Sequence, residues 1–445
     1  MLKGTILVIC GDNLGSHGID GYLESFQAHH YCRYCTLTKA QIGTGPAYLE
    51  GEYRTPESYQ CAIQELRDNN MKSCNGIKFD SLFNTLSYFH VANPGLPPCL
   101  GHDLFEGVVD YDMAIFIGYF VDKKWFTLDL LNKNLQQFPF KGTDVANRPA
   151  AAVSKLKLGG QAVQNWWFLR FFPFMVYGLI QNTQDQVWQL VLKLKEIVEL
   201  VVSPALKASQ VAYLQVLVHE YLTDRKALFP QPLRPKHHFL SHYAWNILMF
   251  GPLIRLWTLR FESKHSYFKR SARYSQNFIN ITFTLAQQHQ MFQAYCFSGQ
   301  MFPNDVLVDK GTLFHPYLYA RNIQEAVKYL SPDTKQYVVT DQVCVFGTKY
   351  QKGQFLIVKT DGNGKWTFAK ILLVLVQGDE VHFVVKQYVS TFLPDYSIYR
   401  IAAGDDDLDV VCVKYNDVLD YYPLLSYKIL GSYFVTLKNK PSGLD

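Results

Sequence analysis

Cys32-Arg33-Tyr34-Cys35 lies near the start of the chain, and His237-His238-Phe239-Leu240-Ser241-His242 lies past its middle. A C-x-x-C supplies half of a tetrahedral zinc site, and two histidines about one helical turn apart supply the other half. If both pairs bind one ion, the long stretch between them must fold into a closed loop whose ends meet at the metal. The histidines pair in two ways. His237-x4-His242 spans somewhat more than one turn, and His238-x3-His242 is the better match to one face of a regular helix. We take Cys32, Cys35, His237 and His242 as the ligands of a structural zinc, with His238 as the alternative to His237. The plain alternative is two buried thiols and satisfied core histidines. Cys99-x-x-His102 is a second pair, which either completes the zinc site in place of the histidines or braces a wall beside it.

Two carboxylates stand out in the same way. Asp12 ends an apolar run, Thr5-Ile6-Leu7-Val8-Ile9-Cys10-Gly11, that reads as a buried strand. A carboxylate past the C-terminal end of such a strand projects where α/β sheets bind ligands, and hard cations such as Mg²⁺ want oxygen there. A turn residue in Gly-Asp-Asn is the ordinary reading. Glu262 is the only acid between Lys236 and Arg273, among three lysines and four arginines. One acid within a cationic helix suits phosphate chemistry through a bound metal, with Lys264, Lys269, Arg270 and Arg273 as phosphate contacts. An ion pair within the helix is the competing use, worth a few tenths of a kcal/mol.

Hydrophobic content of 48% and charged content of 18% describe a globular chain, long enough at 445 residues for two or three domains. The net charge of +5 does not by itself name a partner. Nine dispersed cysteines fit reduced thiols and metal ligation better than a disulfide framework. No signal peptide precedes the Thr5–Cys10 run, and the apolar stretch 166–180 holds Arg170 and Pro173 and is short for a membrane span. An intracellular protein is expected, nuclear or cytoplasmic, not secreted and not bound to a membrane.

Thr55-Pro56 reads as an N-cap and first helical residue, 103–121 as an apolar helix, and 187–202 and 211–228 as helices of regular period. Nearly everything from 161 to 298 has helical character. After Pro303 the pattern changes to short strands at 338–345, 355–359, 368–376, 381–389 and 433–437, with turns at Asn363-Gly364 and Gly378-Asp379. We expect 1–131 to hold a partial α/β core with the zinc-ligand pair, 132–250 a helical insertion, 251–303 the Glu-bearing helices, and 335–440 a small C-terminal all-β, barrel-like domain. The acidic loop Gly404-Asp405-Asp406-Asp407 reads as solvated.

The order and spacing of these motifs resemble a D-D-E transposase of the CACTA-like type. The matching stretches are Gly11-Asp12-Asn13-Leu14-Gly15-Ser16-His17, Cys32-Arg33-Tyr34-Cys35, the run from Cys99 through His102-Asp103-Leu104-Phe105-Glu106-Gly107 to Val108, and Arg260-Phe261-Glu262-Ser263-Lys264-His265. The C-x-x-C and H-x4-H that flank a helical block are also similar to Transib transposases and the vertebrate immune recombinase. The resemblance covers about residues 1–300. It implies an RNase H-like core with Asp12 as second acid and Glu262 as third, a DNA partner, zinc, and Mg²⁺ if the catalytic set is complete. A homo-oligomer is compatible with it.

The first acid of such a triad belongs on a strand ahead of Asp12, and only eleven residues precede Asp12. Two-metal chemistry needs carboxylates that bridge ions about 3.5–4 Å apart. The expected molecule is therefore a transposon-derived protein that keeps zinc and DNA affinity without a complete catalytic set. The alternatives are a non-enzymatic protein that binds a protein or chromatin partner, and an active nuclease that recruits Asp103 or Asp110.

Overall fold

Residues 6–49, 51–151, 157–300, 304–330, 337–360, 366–402 and 410–441 are described by a computed structural model. The helix signals of the first half act as read. Thr55 and Ser58 cap each other's backbone at the start of the Pro56–Asp68 helix, with Pro56 at its first position. The apolar 103–121 stretch is helical throughout. It opens as wide, π-type turns over Gly101–Val109 and continues as the α-helix Asp110–Asp122. The Gln186–Val201 and Ala208–Leu228 helices pack on each other. The Ala162–Met175 helix is buried all round, which explains its lack of a polar face. Among the described residues no helix is long and apolar enough to cross a membrane.

The run up to Asp12 departs from the reading. Ile6–Cys10 carries no strand, and Thr5 lies outside the described residues. A β-branched run becomes a strand only when a neighbour completes its ladder. Among the described residues up to Thr258, β-pairing is confined to isolated bridges such as Tyr22–Ile77 and Cys35–Tyr53.

By contacts the chain forms two compact units. The first comprises Met1–Thr258 with two returning segments, Leu393–Ile398 and Thr436–Ser442. Buried side chains hold those segments in place. Arg170 pairs with Asp144 at 3.0 Å and donates to the carbonyls of Leu437 and Thr436 at 3.0 and 3.1 Å. Lys195 pairs with Glu199 and donates to the Ser397 carbonyl at 2.9 Å. The Pro235–Leu240 helix packs on Gly101–Val109. Gly107 permits that approach, since a Cβ there would lie 2.5 Å from Lys236 Cδ and 3.0 Å from the His102 carbonyl.

The second unit comprises Leu259–Phe392 and Tyr399–Val435. It begins with the helices Leu259–Glu262, Lys264–Ser275 and Ile281–Tyr295 and continues into antiparallel strands from Val306 onward. The long strand Trp366–Gln377 is central. Glu380–Tyr388 pairs with it on one side, and Phe355–Thr360 and then Val338–Thr340 pair on the other. The Gly378-Asp379 turn joins the first two strands, with Gly378 at φ 59°. A bulge between Ile371 and Leu373 inverts the alternation, so Ala369, Ile371, Val374 and Val376 share one buried face. Leu373 and Leu375 take the other, beneath Val327 of the Arg321–Val327 helix. Among the described residues the sheets are open, of six, four and three strands, and none closes into a barrel. The Asn363-Gly364 turn and the 404–407 acidic loop lie outside the described residues.

Candidate metal centre

Cys32 and Cys35 sit on a loop whose walls are Tyr31, Tyr34, Leu37 and Phe239, all buried. His238 and His242 come from the Pro235–Leu240 helix and the residue that joins it to Tyr243–Phe250. Cys32 Sγ lies 3.5 Å from His242 Nε2, Cys35 Sγ 3.3 Å from His238 Nε2, and the two Nε2 atoms are 3.2 Å apart. The four ligand atoms lie within 4.8 Å of one another, and all four residues are buried. Tetrahedral zinc with Zn–S near 2.3 Å and Zn–N near 2.0 Å places its ligands roughly 3.3–3.8 Å apart. The four residues therefore fit zinc in number, type and spacing.

His237 is a correction. It does not join the ligands; the fourth is His238. On a helix a residue four positions from His242 is about 40° round the axis from it, and one five positions away about 140°. His237 faces the helix behind it, where its Nε2 lies 3.0 Å from Asp112 Oδ2 and its Nδ1 accepts from the Arg234 backbone N–H at 3.0 Å. Asp112 is fully buried and also meets Arg225 Nε at 2.9 Å and the Tyr221 hydroxyl. Burial alone would raise the Asp112 pKa, but His237 and Arg225 outweigh it and hold the carboxyl below its ordinary value. Asp112 is one of several acids in this apolar helical run, beside Asp103, Glu106 and Asp110, and no local sequence signal sets it apart.

Two buried arginines surround the metal loop. Arg33 donates to Asn13 Oδ1 at 2.9 Å, to the Tyr34 hydroxyl at 2.6 Å and to the Pro97 carbonyl at 3.3 Å. Arg54 donates to the Cys32 carbonyl at 3.1 Å and to that of Asn75 at 2.8 Å. Burial opposes charge on Cys32, but the Cys35 hydrogen bond and the two imidazoles overcome it and bring its pKa well below that of a free thiol. Cys35 moves up, through that same hydrogen bond and burial. Burial lowers the His242 pKa, which favours the neutral ring that binds metal.

Cys99 and His102 are no part of this set. Cys99 Sγ lies 3.1 Å from His102 Nδ1 and 2.8 Å from Thr258 Oγ1, a hydrogen-bonded brace. Asp12 is exposed and caps the Asn13–Asp20 helix, accepting from the Gly15 N–H at 2.6 Å. It lines a recess of about 210 Å³ with His17, Glu24, His102 and Lys236. Asp103 is buried, its Oδ1 accepting from Asn13 Nδ2 at 2.5 Å, and Asp110 accepts from the Leu158 N–H at 3.1 Å. Glu262 ends the short helix Leu259–Glu262 and belongs to the second unit, whereas Asp12 belongs to the first. Among the described residues Cys32, Cys35, His238 and His242 form the one group of three or more such ligands gathered closely enough for an ion. Lys269, Arg270 and Arg273 are exposed, while Lys264 lies over the rings of Tyr267 and Phe292 at 4.7 and 5.7 Å.

No family model matches this chain, and no curated protein matches it.

Proposed function

We propose that this is a transposon-derived DNA-binding protein of the cut-and-paste transposase type, held together by one structural zinc and acting by binding rather than by cutting. The observation that carries the reading is the buried Cys32, Cys35, His238, His242 cluster, whose halves flank a helical block in the order that the transposase resemblance calls for. In this reading residues 132–250 are the insertion of an RNase H-like core, and the strands after 335 form an appended, barrel-like domain. Lys269, Arg270 and Arg273 supply phosphate contacts, and a DNA partner implies a nuclear location. Asp12 caps a helix and Asp103 accepts from Asn13, and in this reading neither serves to bridge metal ions.

The test is metal analysis and duplex DNA binding by the full chain. We expect one zinc per chain and an affinity that falls linearly on a log–log plot against salt. Each of Lys269→Gln, Arg270→Gln and Arg273→Gln should reduce the slope by about 0.9. A metal-free protein after zinc-replete expression removes the zinc half of the reading, and salt-insensitive or absent DNA binding moves it to a protein-interaction role. Mg²⁺-dependent nicking abolished by Asp12→Asn reinstates a nuclease.

A further inference from the structure

No residue from Leu259 to Gly299 is buried, although the segment is largely helical and rich in aromatic side chains. Helices Lys264–Ser275 and Ile281–Tyr295 touch through a small patch in which Tyr267 and Phe268 meet His289, with ring centroids 5.9 and 5.6 Å apart. The turn between them, bounded by left-handed Gln276 (φ 46°) and Asn280 (φ 52°), holds its large side chains away from that patch. Tyr274 is 83% exposed, Phe278 69%, Ile279 79% and Phe283 68%. Arg270 and Tyr274 are one helical turn apart, as are Lys269 and Arg273, so the cations flank the aromatic tip on adjoining faces.

We infer that this hairpin tip is a site for nucleic acid with unpaired bases, which stack on Tyr274, Phe278 and Phe283 while Lys269, Arg270 and Arg273 neutralise the phosphates. Base stacking on aromatic rings combined with backbone contacts to cations is how single strands are held without sequence preference. Charge selects this occupant over a second copy of the chain. From Leu259 to Gly299 there are five Lys and Arg against the single acid Glu262, so two such tips repel. Amides select it over a lipid surface. Gln276, Asn277 and Asn280 interrupt the apolar side chains, and each would lose its hydrogen bonds in hydrocarbon. Against bases and phosphates those same amides find partners.

This inference rests on the DNA-binding reading above and adds the form of the nucleic acid. The experiment is fluorescence anisotropy with the full zinc-loaded chain, using a labelled 20-nucleotide mixed-sequence DNA strand and the duplex of the same sequence, over a salt series. We expect tighter binding of the strand than of the duplex. Tyr274→Ala/Phe278→Ala/Phe283→Ala should weaken strand binding at least tenfold with little change in salt slope and little effect on the duplex. Lys269→Gln/Arg270→Gln/Arg273→Gln should weaken both and flatten the slope. All six side chains are exposed, and circular dichroism with zinc content confirms that the variants fold. If the aromatic variant binds the strand as the parent does, or the duplex is preferred, the inference fails while the DNA-binding reading stands. If neither DNA form binds, both fail. Aromatic-dependent capture by phosphatidylcholine–phosphatidylserine vesicles, or a dimer in light scattering that the aromatic variant abolishes, overturns it in favour of those partners.

Discussion

His237 Nε2 lies 3.0 Å from Asp112 Oδ2 with both side chains buried, and this contact leaves His238 as the histidine that faces Cys32 and Cys35. The Asp112 carboxylate already accepts from Arg225 and Tyr221. Adjacent histidines on one helix thus have separate tasks, His237 gripping the Asp110–Asp122 helix and His238 facing the cysteines.

His238→Ala should therefore lower zinc affinity at least about 100-fold, because a structural site with three protein ligands is open to water. His237→Ala should keep one zinc per chain. Zinc content by mass spectrometry under chelator competition separates the two, and equal loss in both variants would return His237 to the site.

Asp112→Ala leaves the Arg225 guanidinium buried and without its carboxylate. Removal of one partner from a buried pair costs about 3–5 kcal/mol. Asp112→Ala combined with Arg225→Met should recover much of that loss. Urea unfolding of the two variants and the parent checks it.

Stability should fall in acid through His17. Its Nδ1 lies 2.9 Å from the Leu23 carbonyl, to which it donates, and its Nε2 is buried with no partner. Burial and then the nearby Arg33 bring the pKa down from 6.5 to about 4. Above pH 6.5 the ring is neutral in both folded and unfolded chains and contributes no pH dependence. As pH falls from 6.5 toward 4 the unfolded chain takes up the proton first, so folding loses on the order of 2–3 kcal/mol. His17→Phe, whose ring suits neighbours Tyr22, Phe26 and Phe239, should flatten that limb relative to the parent at equal zinc loading.

Phe239, fully buried between the two ligand histidines, packs on Phe26, Tyr31 and Tyr34 and lies under the Arg33 guanidinium. Phe239→Ala should cost about 3–5 kcal/mol and raise the zinc off-rate, while Phe239→Leu should restore most of both. Thermal unfolding together with zinc release to a chromogenic chelator reads both effects.

The C-x-x-C, the His-rich segment and the Thr55-Pro56 helix start were legible in the sequence because each signal is local: a ligand spacing, a cap, a fixed φ. What escaped the reading depends on partners far away in sequence. Asp112 sits 125 residues from His237, and nothing near either one indicates the contact. The 6–10 run has strand composition, and among the described residues no strand pairs with it. The bulge near Leu372 moves half a strand to the opposite face, and only the neighbouring strands reveal it.

The four candidate ligands also bear on the order in which the protein can mature. Cys32 and His242 are 210 residues apart in the chain. A ribosome adding about 5–20 residues per second takes roughly 10–40 s to cover that distance. For most of that interval the cysteines have left the ribosome and their histidines do not yet exist. If the cluster takes zinc, all four ligands can meet it only once His242 has been made, while the returning segments Leu393–Ile398 and Thr436–Ser442 of the first unit are still to come.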